Sequence, residues 1–423
     1  MTPAADPAVP VRTPLFTRQF LLLVTGAFCF FLSFGMTVPV LPLLVTEQLG
    51  GSDLAVGVVV GIMAVSAILI RPWAGRRADV WGRQRLMLLG IVLGGLAFAG
   101  AGVVTDLFTL SALRLVTGAA QALVLIGAVT TVMDTVPADR RGEGISYFSV
   151  APYLGIGFGS IAGQAVYDHL GFGLSFLVAG LVTLVGLVPV LGVTNVHVPA
   201  EPGAVRPRRF HPAALLPGAV LALGLVGPVA FTSFITLYVR DFGLTDASWL
   251  LFAYSGCVLA ARVLGGRVPD LLGPRVTGPL SAGLLALGLG VIALTPVVWG
   301  LYVGIVPFAF GIALQYPAML TLALSRVDDR ERAVAVSTFT MFFDVAQGLG
   351  GVVVGALAAL GGYRSAFGGC AVLALAGLVA LWFGLLRREP AAPPGPDAAV
   401  GPPHVDDAVA ASPATVEQVM RVD

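Results

Sequence analysis

Apolar residues in this chain come in near-continuous runs of about twenty, separated by short clusters of charge, proline and glycine. A run of that length crosses the ~30 Å hydrocarbon core of a bilayer as an α-helix, and backbone in lipid is satisfied only as helix or closed barrel. The runs lack the period-two alternation of a barrel strand, so the pattern predicts helices. Six fall near 19–45, 54–74, 86–104, 107–134, 143–166 and 172–194. After the polar stretch VHVPAEPGAVRPRRFHP, six more fall near 213–239, 247–266, 276–295, 298–324, 333–359 and 365–386. The chain thus divides into a leading segment 1–17, a bundle 18–195, a linker 196–212, a second bundle 213–388 and a tail 389–423. The tail is rich in Pro, Ala and Asp and poor in bulky apolar residues, a composition that predicts disorder. The first run continues from Phe20 to about Val45, too far for a cleaved signal peptide.

Composition narrows the picture. Only 11% of residues are charged, against roughly 25% in soluble domains, which excludes a soluble enzyme. A net charge of +1 gives no reason to expect nucleic acid. Cys29, Cys257 and Cys370 sit singly in apolar runs without neighbouring histidine, so neither a disulfide framework nor a zinc site is expected. His169, His197, His211 and His404 all fall in loops or the tail, which speaks against a membrane enzyme built on a His set or metal cluster. The chain contains no lysine, so a phosphate-binding G-x-x-x-x-G-K-[ST] loop is impossible and no cofactor is expected. The lysine-free, Ala/Gly/Val/Arg-rich composition points to a bacterium with a GC-rich genome, and hence to the inner, cytoplasmic membrane.

Orientation follows from the arginines, because cytoplasmic loops keep an excess of basic charge. Arg12 and Arg18 precede the first span. Arg76, Arg77, Arg83 and Arg85 follow the second, and further arginines follow the fourth, sixth, eighth, tenth and twelfth. The alternate loops carry Glu47, Asp53, Asp106, Asp168, Asp241 and Asp246 against Arg240 and Arg364. Both termini are therefore expected in the cytoplasm.

The sequence repeats internally. Shifted by 191 residues, RPWAGRRADVWG from Arg71 lies over RVLGGRVPDLLG from Arg262, matching Arg71 to Arg262, Gly75 to Gly266, Arg76 to Arg267, Asp79 to Asp270 and Gly82 to Gly273. The same shift lays ISYFSVAPYLGIGFG from Ile145 over VSTFTMFFDVAQGLG from Val336. Two six-helix halves with the same orientation are expected, with a site at the interface between repeats, as in many transporters.

With these motifs the chain resembles the major facilitator superfamily, in particular its twelve-helix drug/metabolite:proton antiporter-like branch, over about residues 15–390. GRRADVWGRQR matches the signature between spans 2 and 3, with Gly75, Asp79, Gly82, Arg83 and Arg85 in place. LRLVTGAAQ resembles the span 4 pattern through Arg114 and Gly118, with Thr117 where Gln is usual. LGIGFGSIAG is similar to the exporter-associated motif of span 5, with Ser160 where proline is usual. The fold implied is all-α and integral to the membrane: twelve transmembrane helices in two pseudo-symmetric bundles around a central cavity.

The resemblance gives the arginine-rich loop a mechanical role beside its topological one. It implies that Asp79 meets the N-terminal end of span 11 across the two halves, where a helix end favours a carboxylate by ~0.3–1 kcal/mol. It also implies that Arg83 reaches an acid at the end of span 4, with Asp134 the match and Glu143 a second candidate. Asp270 and Gly273 repeat the pattern in the second half. The expected device is a cytoplasmic latch favouring the outward-facing state.

Ionisable groups inside the membrane cost roughly 2.5–3.5 kcal/mol on insertion scales, so each is a candidate for function. Asp344, about twelve residues into span 11, and Arg114, about seven into span 4, stand out. Asp344 reads either as a proton carrier, its environment switching with exposure, or as a permanently ionised residue that fixes packing or binds a cationic part of the substrate. Arg114 keeps its proton and so is either an anion partner or a ligand for backbone carbonyls. Spans that line the pore in the superfamily add Thr37, Gln121, Tyr153, Thr232, Tyr254, Gln315, Tyr316, Phe343 and Gln347 as cavity candidates.

The function these features imply is secondary active transport: proton-coupled efflux of a small amphipathic organic compound by alternating access. A proton-coupled importer and a transporter-shaped sensor are the alternatives. The partners are a small molecule, protons and the lipid bilayer. One chain holds both halves of a cavity, so a monomer suffices.

Overall fold

The computed structural model describes residues 16–137, 140–194, 211–265, 268–325, 327 and 331–386. Most of the linker and the whole 389–423 tail lie outside the described residues, as do the side chains of Asp79 and Asp270.

The first half comprises α1 (Arg18–Leu43), α2 (Asp53–Trp81), α3 (Arg83–Ala101), α4 (Leu107–Thr135), α5 (Arg141–Val185) and the short α6 (Leu187–Leu191). The second comprises α7 (Pro212–Tyr238), α8 (Ser248–Gly265), the short α9 (Val268–Leu272), α10 (Pro274–Leu294), α11 (Val298–Leu324) and α12 (Arg332–Leu381). Polar caps mark several starts: Thr17 Oγ1 accepts from Phe20 N, Ser52 Oγ from Ala55 N and Asp106 Oδ1 from Thr109 N. Such caps satisfy amide donors that a helix end leaves orphaned.

Ten helices among the described residues are long and apolar enough to span a bilayer, two fewer than the sequence predicts. The difference lies in α5 and α12, of 45 and 50 residues, each too long for one crossing. Both are broken: α5 at Gly171 (φ 78°) and α12 at Gly361 and Gly362 (φ 74° at the latter). Each is a pair of spans joined without a separating loop, which restores twelve.

The packing obeys the repeat. In the first half α1 lies along α5, α3 lies on α4 and α5, and α2 lies on α4; in the second, α7 lies along α12, α10 lies on α11 and α12, and α8 lies on α11. The halves meet through α2 with α12 and α5 with α8, a pair that the repeat exchanges, and through α1 with α7.

Contact between halves is concentrated at one end. Leu41 and Leu43 of α1, with Leu44 just past its end, share an apolar core with Phe234 and Ile235 of α7. Glu47 pairs with Arg240, and the Tyr363 hydroxyl donates to Asp53 at 2.9 Å. Gly57 and Gly61 of α2 press on the backbone of Gly351 and Gly348 of α12, so closely that a Cβ at either α2 position would overlap a carbonyl. Towards the opposite end no such overlap occurs on α2 among the described residues: a Cβ at Gly75 would meet nothing within 4 Å. Among the described residues, then, the halves are sealed at the Glu47 end, and the pairs that join them thin out into a cleft towards the Arg83 end.

Candidate functional site

Arg71 and Asp344 join the two halves deep in this cleft. Arg71 Nη1 donates to Asp344 Oδ2 at 2.9 Å, with the arginine side chain 33% and the aspartate 11% exposed. Arg71 is 18 residues past Asp53 and 10 before Trp81 on α2, or ~27 Å and ~15 Å along the helix. The pair therefore sits within the membrane span but towards the open end. Tyr316 of α11 lies within electrostatic reach of Arg71, Asp344 and Arg262, and packs its ring edge-on against Phe339 (5.4 Å) and Phe343 (6.5 Å).

The matching contact of the second repeat lies on the other side of the cleft. Arg262 of α8 crosses to α5 and places its guanidinium over the Tyr153 ring, 4.9 Å from the centroid. Tyr254, about two turns earlier on α8, stacks on Phe308 at 5.2 Å and tilts against Phe231 at 4.9 Å. Phe158 meets Phe252 edge-on at 5.3 Å along the same α5–α8 seam.

Other residues singled out by the sequence sit elsewhere. Arg114 is buried, and its Nε contacts the Val59 carbonyl of α2 at 3.4 Å. No ion pair among the described residues joins it to Asp344; the arginine at that carboxylate is Arg71. Gln315 is buried inside the second half, where Nε2 donates to the Val220 carbonyl at 3.3 Å and clasps α11 to α7 at Gly224. Thr37 is buried with its hydroxyl on the Phe34 carbonyl, and Thr232 donates to Pro228. Gln121 and Gln347 are half-buried.

At the open end, Arg83 pairs with Asp134 and donates to the Thr130 carbonyl at 3.0 Å, tying α3 to α4. Glu143, the other candidate partner, is taken by Arg140 at 2.8 Å. Gly82 (φ 86°, ψ 151°) and Gly273 (φ 72°, ψ 161°) adopt nearly the same backbone, one that side-chain-bearing residues avoid. Arg85 is exposed, and Arg77 stacks over Trp81 of its own helix at 4.7 Å. The expected contact of Asp79 with the start of α12, and its counterpart at Asp270, rest on side chains outside the described residues.

Sequence reasoning missed Arg71 and Arg262 as intramembrane charges, because each adjoins an arginine-rich loop. Their exact coincidence under the 191-residue shift was the available signal. Hollows of about 500 Å³ near Tyr167, Asp168 and Arg240, and of about 300 Å³ between Ser52 and Ser111, contain neither arginine.

A twelve-span, two-fold-repeated bundle with a charged cleft between its halves is the architecture of a membrane transporter, and comparison with known proteins gives the family. The Major Facilitator Superfamily model matches residues 23–246 and again 219–417. The chain belongs to this superfamily. An uncharacterized MFS-type transporter of Pseudomonas aeruginosa is 30% identical over 391 residues, 88% of this chain and 94% of that one. Among solved structures, the nucleoside transporter NupG (D323A mutant) superposes with a TM-score of 0.71 at 16% identity, covering 86% of this chain and 99% of that one. A POT family transporter in complex with 5-aminolevulinic acid gives 0.73 at 15% identity, covering 86% and 96%. At these identities the two structures share the fold.

Proposed function

We propose that the protein is a proton-coupled secondary transporter of a small amphipathic organic compound, working by alternating access. The observation that carries this reading is the Arg71–Asp344 ion pair, which bridges the two halves inside the membrane. An arginine partner favours the charged form of a carboxyl and burial the neutral form, so a movement of the halves that breaks the pair shifts that balance towards taking a proton. Proton binding and the position of the halves are then linked. A pH unit supplies ~1.4 kcal/mol and ~100 mV a further ~2.3 kcal/mol per charge, enough for tenfold to hundredfold accumulation.

In this reading the Arg83 end faces the cytoplasm, as do both termini, in a bacterial inner membrane, and the segments 18–195 and 213–388 rock about the membrane-embedded site as a monomer. Gly82, Arg83 and Asp134, with Asp79 and Arg85, form the cytoplasmic latch, repeated by Asp270 and Gly273. Tyr153, Tyr254, Tyr316, Phe343, Gln121 and Gln347 line the substrate path.

Export in exchange for protons is the direction that the resemblance to the antiporter branch supports. Uptake together with protons is the second reading, favoured by the arginine at Asp344: a group that competes with Asp344 for Arg71 raises the proton affinity of the carboxyl instead of lowering it.

The test is proton movement by purified protein in liposomes under an imposed pH gradient, on adding amphipathic cations and acids, with Asp344→Asn in parallel. Substrate-evoked proton movement in the native protein and its loss in the variant are expected. Equal movement by Asp344→Asn removes Asp344 from the coupling.

A further inference from the structure

Arg71 and Arg262 occupy equivalent positions of the repeat, and so do their partners, since Asp344 is Tyr153 shifted by the same 191 residues. Each arginine crosses from its own half to the other. One cation is neutralised by a carboxylate; its twin is not.

Arg262 has a ring for a neighbour where Arg71 has an anion. An aromatic face attracts a guanidinium electrostatically but offers no oxygen lone pair to its five N–H donors. Arg262 Nε is buried with no hydrogen-bond partner, and among the described residues no carboxylate lies within ion-pair distance of the side chain. Buried donors left unmade are costly, and charge inside a membrane span more so. The surroundings do not relieve the cost: Tyr153, Tyr254 and Tyr316 bring phenol rings and hydroxyls within its electrostatic reach, and Arg71 adds a second positive charge to the same cleft. Among the described residues the cleft is short of one anion.

We infer that Arg262 anchors the acidic group of the transported molecule, and that the substrate is a small organic acid with an apolar or aromatic body. A carboxylate accepts two parallel N–H bonds from one guanidinium, and the rings of Tyr153, Tyr316 and Phe343 offer surface to the body. A cationic amphiphile would enter a cleft already holding two arginines against one carboxylate. This inference rests on reading the cleft as the transport site.

The same geometry sets the sign of coupling. The charged and titratable groups around Asp344 are Arg71 of α2, Tyr316 of α11 and, through Tyr316, Arg262 of α8; α7 and α10, which also pack on α12, bring none to it among the described residues. An incoming anion and the Asp344 carboxylate compete for one pool of positive charge. Protonation of Asp344 removes the competitor and frees Arg71 as a second fork. Acid and proton bind together, so they travel together, which selects the uptake reading of the two.

The experiment is equilibrium binding to the full chain in nanodiscs, using matched probes that differ only in the polar group: phenylpropionate, phenylpropanol and phenylpropylamine, with their naphthyl analogues, at acidic and neutral pH. The carboxylates are expected to bind, more tightly at acidic pH, with the alcohols weaker and the amines weakest. Arg262→Gln is expected to lose about tenfold to hundredfold in carboxylate affinity, the worth of a hydrogen bond to a charged group, and Arg262→Lys less. Asp344→Asn is expected to bind carboxylates tightly at both pH values. The preference of the native chain for carboxylate over alcohol needs no variant, so the test survives a variant that does not fold. Amines or alcohols binding as well as carboxylates, no carboxylate binding, or unchanged affinity in Arg262→Gln overturns the inference. Proton movement with the same probes in liposomes separates the two readings. If amines alone evoke it, transport stands and the acid falls; if acids bind without moving protons, Arg262 stands and proton coupling falls.

Discussion

Arg71 Nη1 lies 2.9 Å from Asp344 Oδ2, and the two residues belong to opposite halves of the molecule, 273 positions apart in the chain. The bond is made towards the open end of the cleft, and it is the described ion pair between halves at that depth. Whatever separates the halves further must break it, and whatever titrates Asp344 weakens it.

Removing one partner of this pair should cost more than removing both. A lone buried charge left behind by breaking a pair costs several kcal/mol, and because Arg71 is one-third exposed the expected loss for Arg71→Gln is the smaller figure of about 1–2 kcal/mol. The double variant Arg71→Gln/Asp344→Asn should recover part of it. A double-mutant cycle on thermal unfolding in detergent, with a coupling energy near zero, would sink this account.

The two signature glycines should respond differently to the same substitution. Gly82→Ala forces a side chain into a backbone region that costs of order 1–3 kcal/mol. Gly75 is helical with nothing within 4 Å of a Cβ, so Gly75→Ala should be neutral or gain up to about 1 kcal/mol in helix propensity. Comparing the two unfolding midpoints checks it; equal losses would mean that Gly75 approaches another backbone in the dominant solution state.

Gly61→Val should open the Glu47 end. Its side chain would strike the Gly348 carbonyl of α12, and overpacking of this kind typically costs about 1–3 kcal/mol. The state that loses is the one closed at that end. Thiol labelling of a cysteine introduced at Asp53 should become faster in Gly61→Val than in a Gly61 background; an unchanged rate argues against the seam as the closing contact.

Acid should weaken the start of α4. Asp106 accepts from the Thr109 amide at 2.8 Å and its hydroxyl at 2.7 Å, bonds that hold its carboxyl below the usual carboxylate range. A depressed native pKa contributes stability that is complete above the unfolded value of about 4 and is lost as pH falls through the native value. Asp106→Asn should flatten the acid limb of a plot of unfolding temperature against pH. An unaltered limb would place that sensitivity elsewhere.

The twelve crossings were legible because lipid forbids unpaired backbone, so uninterrupted apolar length alone predicts helices. The joins at Gly171 and Gly362 fall inside the gaps 166–172 and 359–365 that the pattern leaves, marked by Asp168, His169 and Arg364; what hydropathy does not record is that the helix resumes there at once, without a separating loop. Asp344 was legible as an isolated acid in an apolar run. Its partner was not, because Arg71 lies five residues from Arg76, and charge counting along the chain assigns both to one loop while helix geometry separates them by ~7.5 Å. Gln315 and Gln347 illustrate the remaining limit. Both are amides in apolar helices of the second half, yet Gln315 is buried between α11 and α7 and Gln347 is half-buried, a distinction set by helix rotation that no short pattern records.

The seam between α2 and α12 is made of bare backbone, Gly57 and Gly61 against Gly348 and Gly351. Its counterpart between α5 and α8 carries rings, Phe158 against Phe252 and Gly157 against Ser255. Backbone sliding on backbone has no rotamers to reseat, whereas interlocked rings must unmesh before they move. In the rocking motion proposed above, the two sides would thus be unequal bearings despite the repeat: one would turn smoothly and the other engage and release, giving a lopsided stroke between end states.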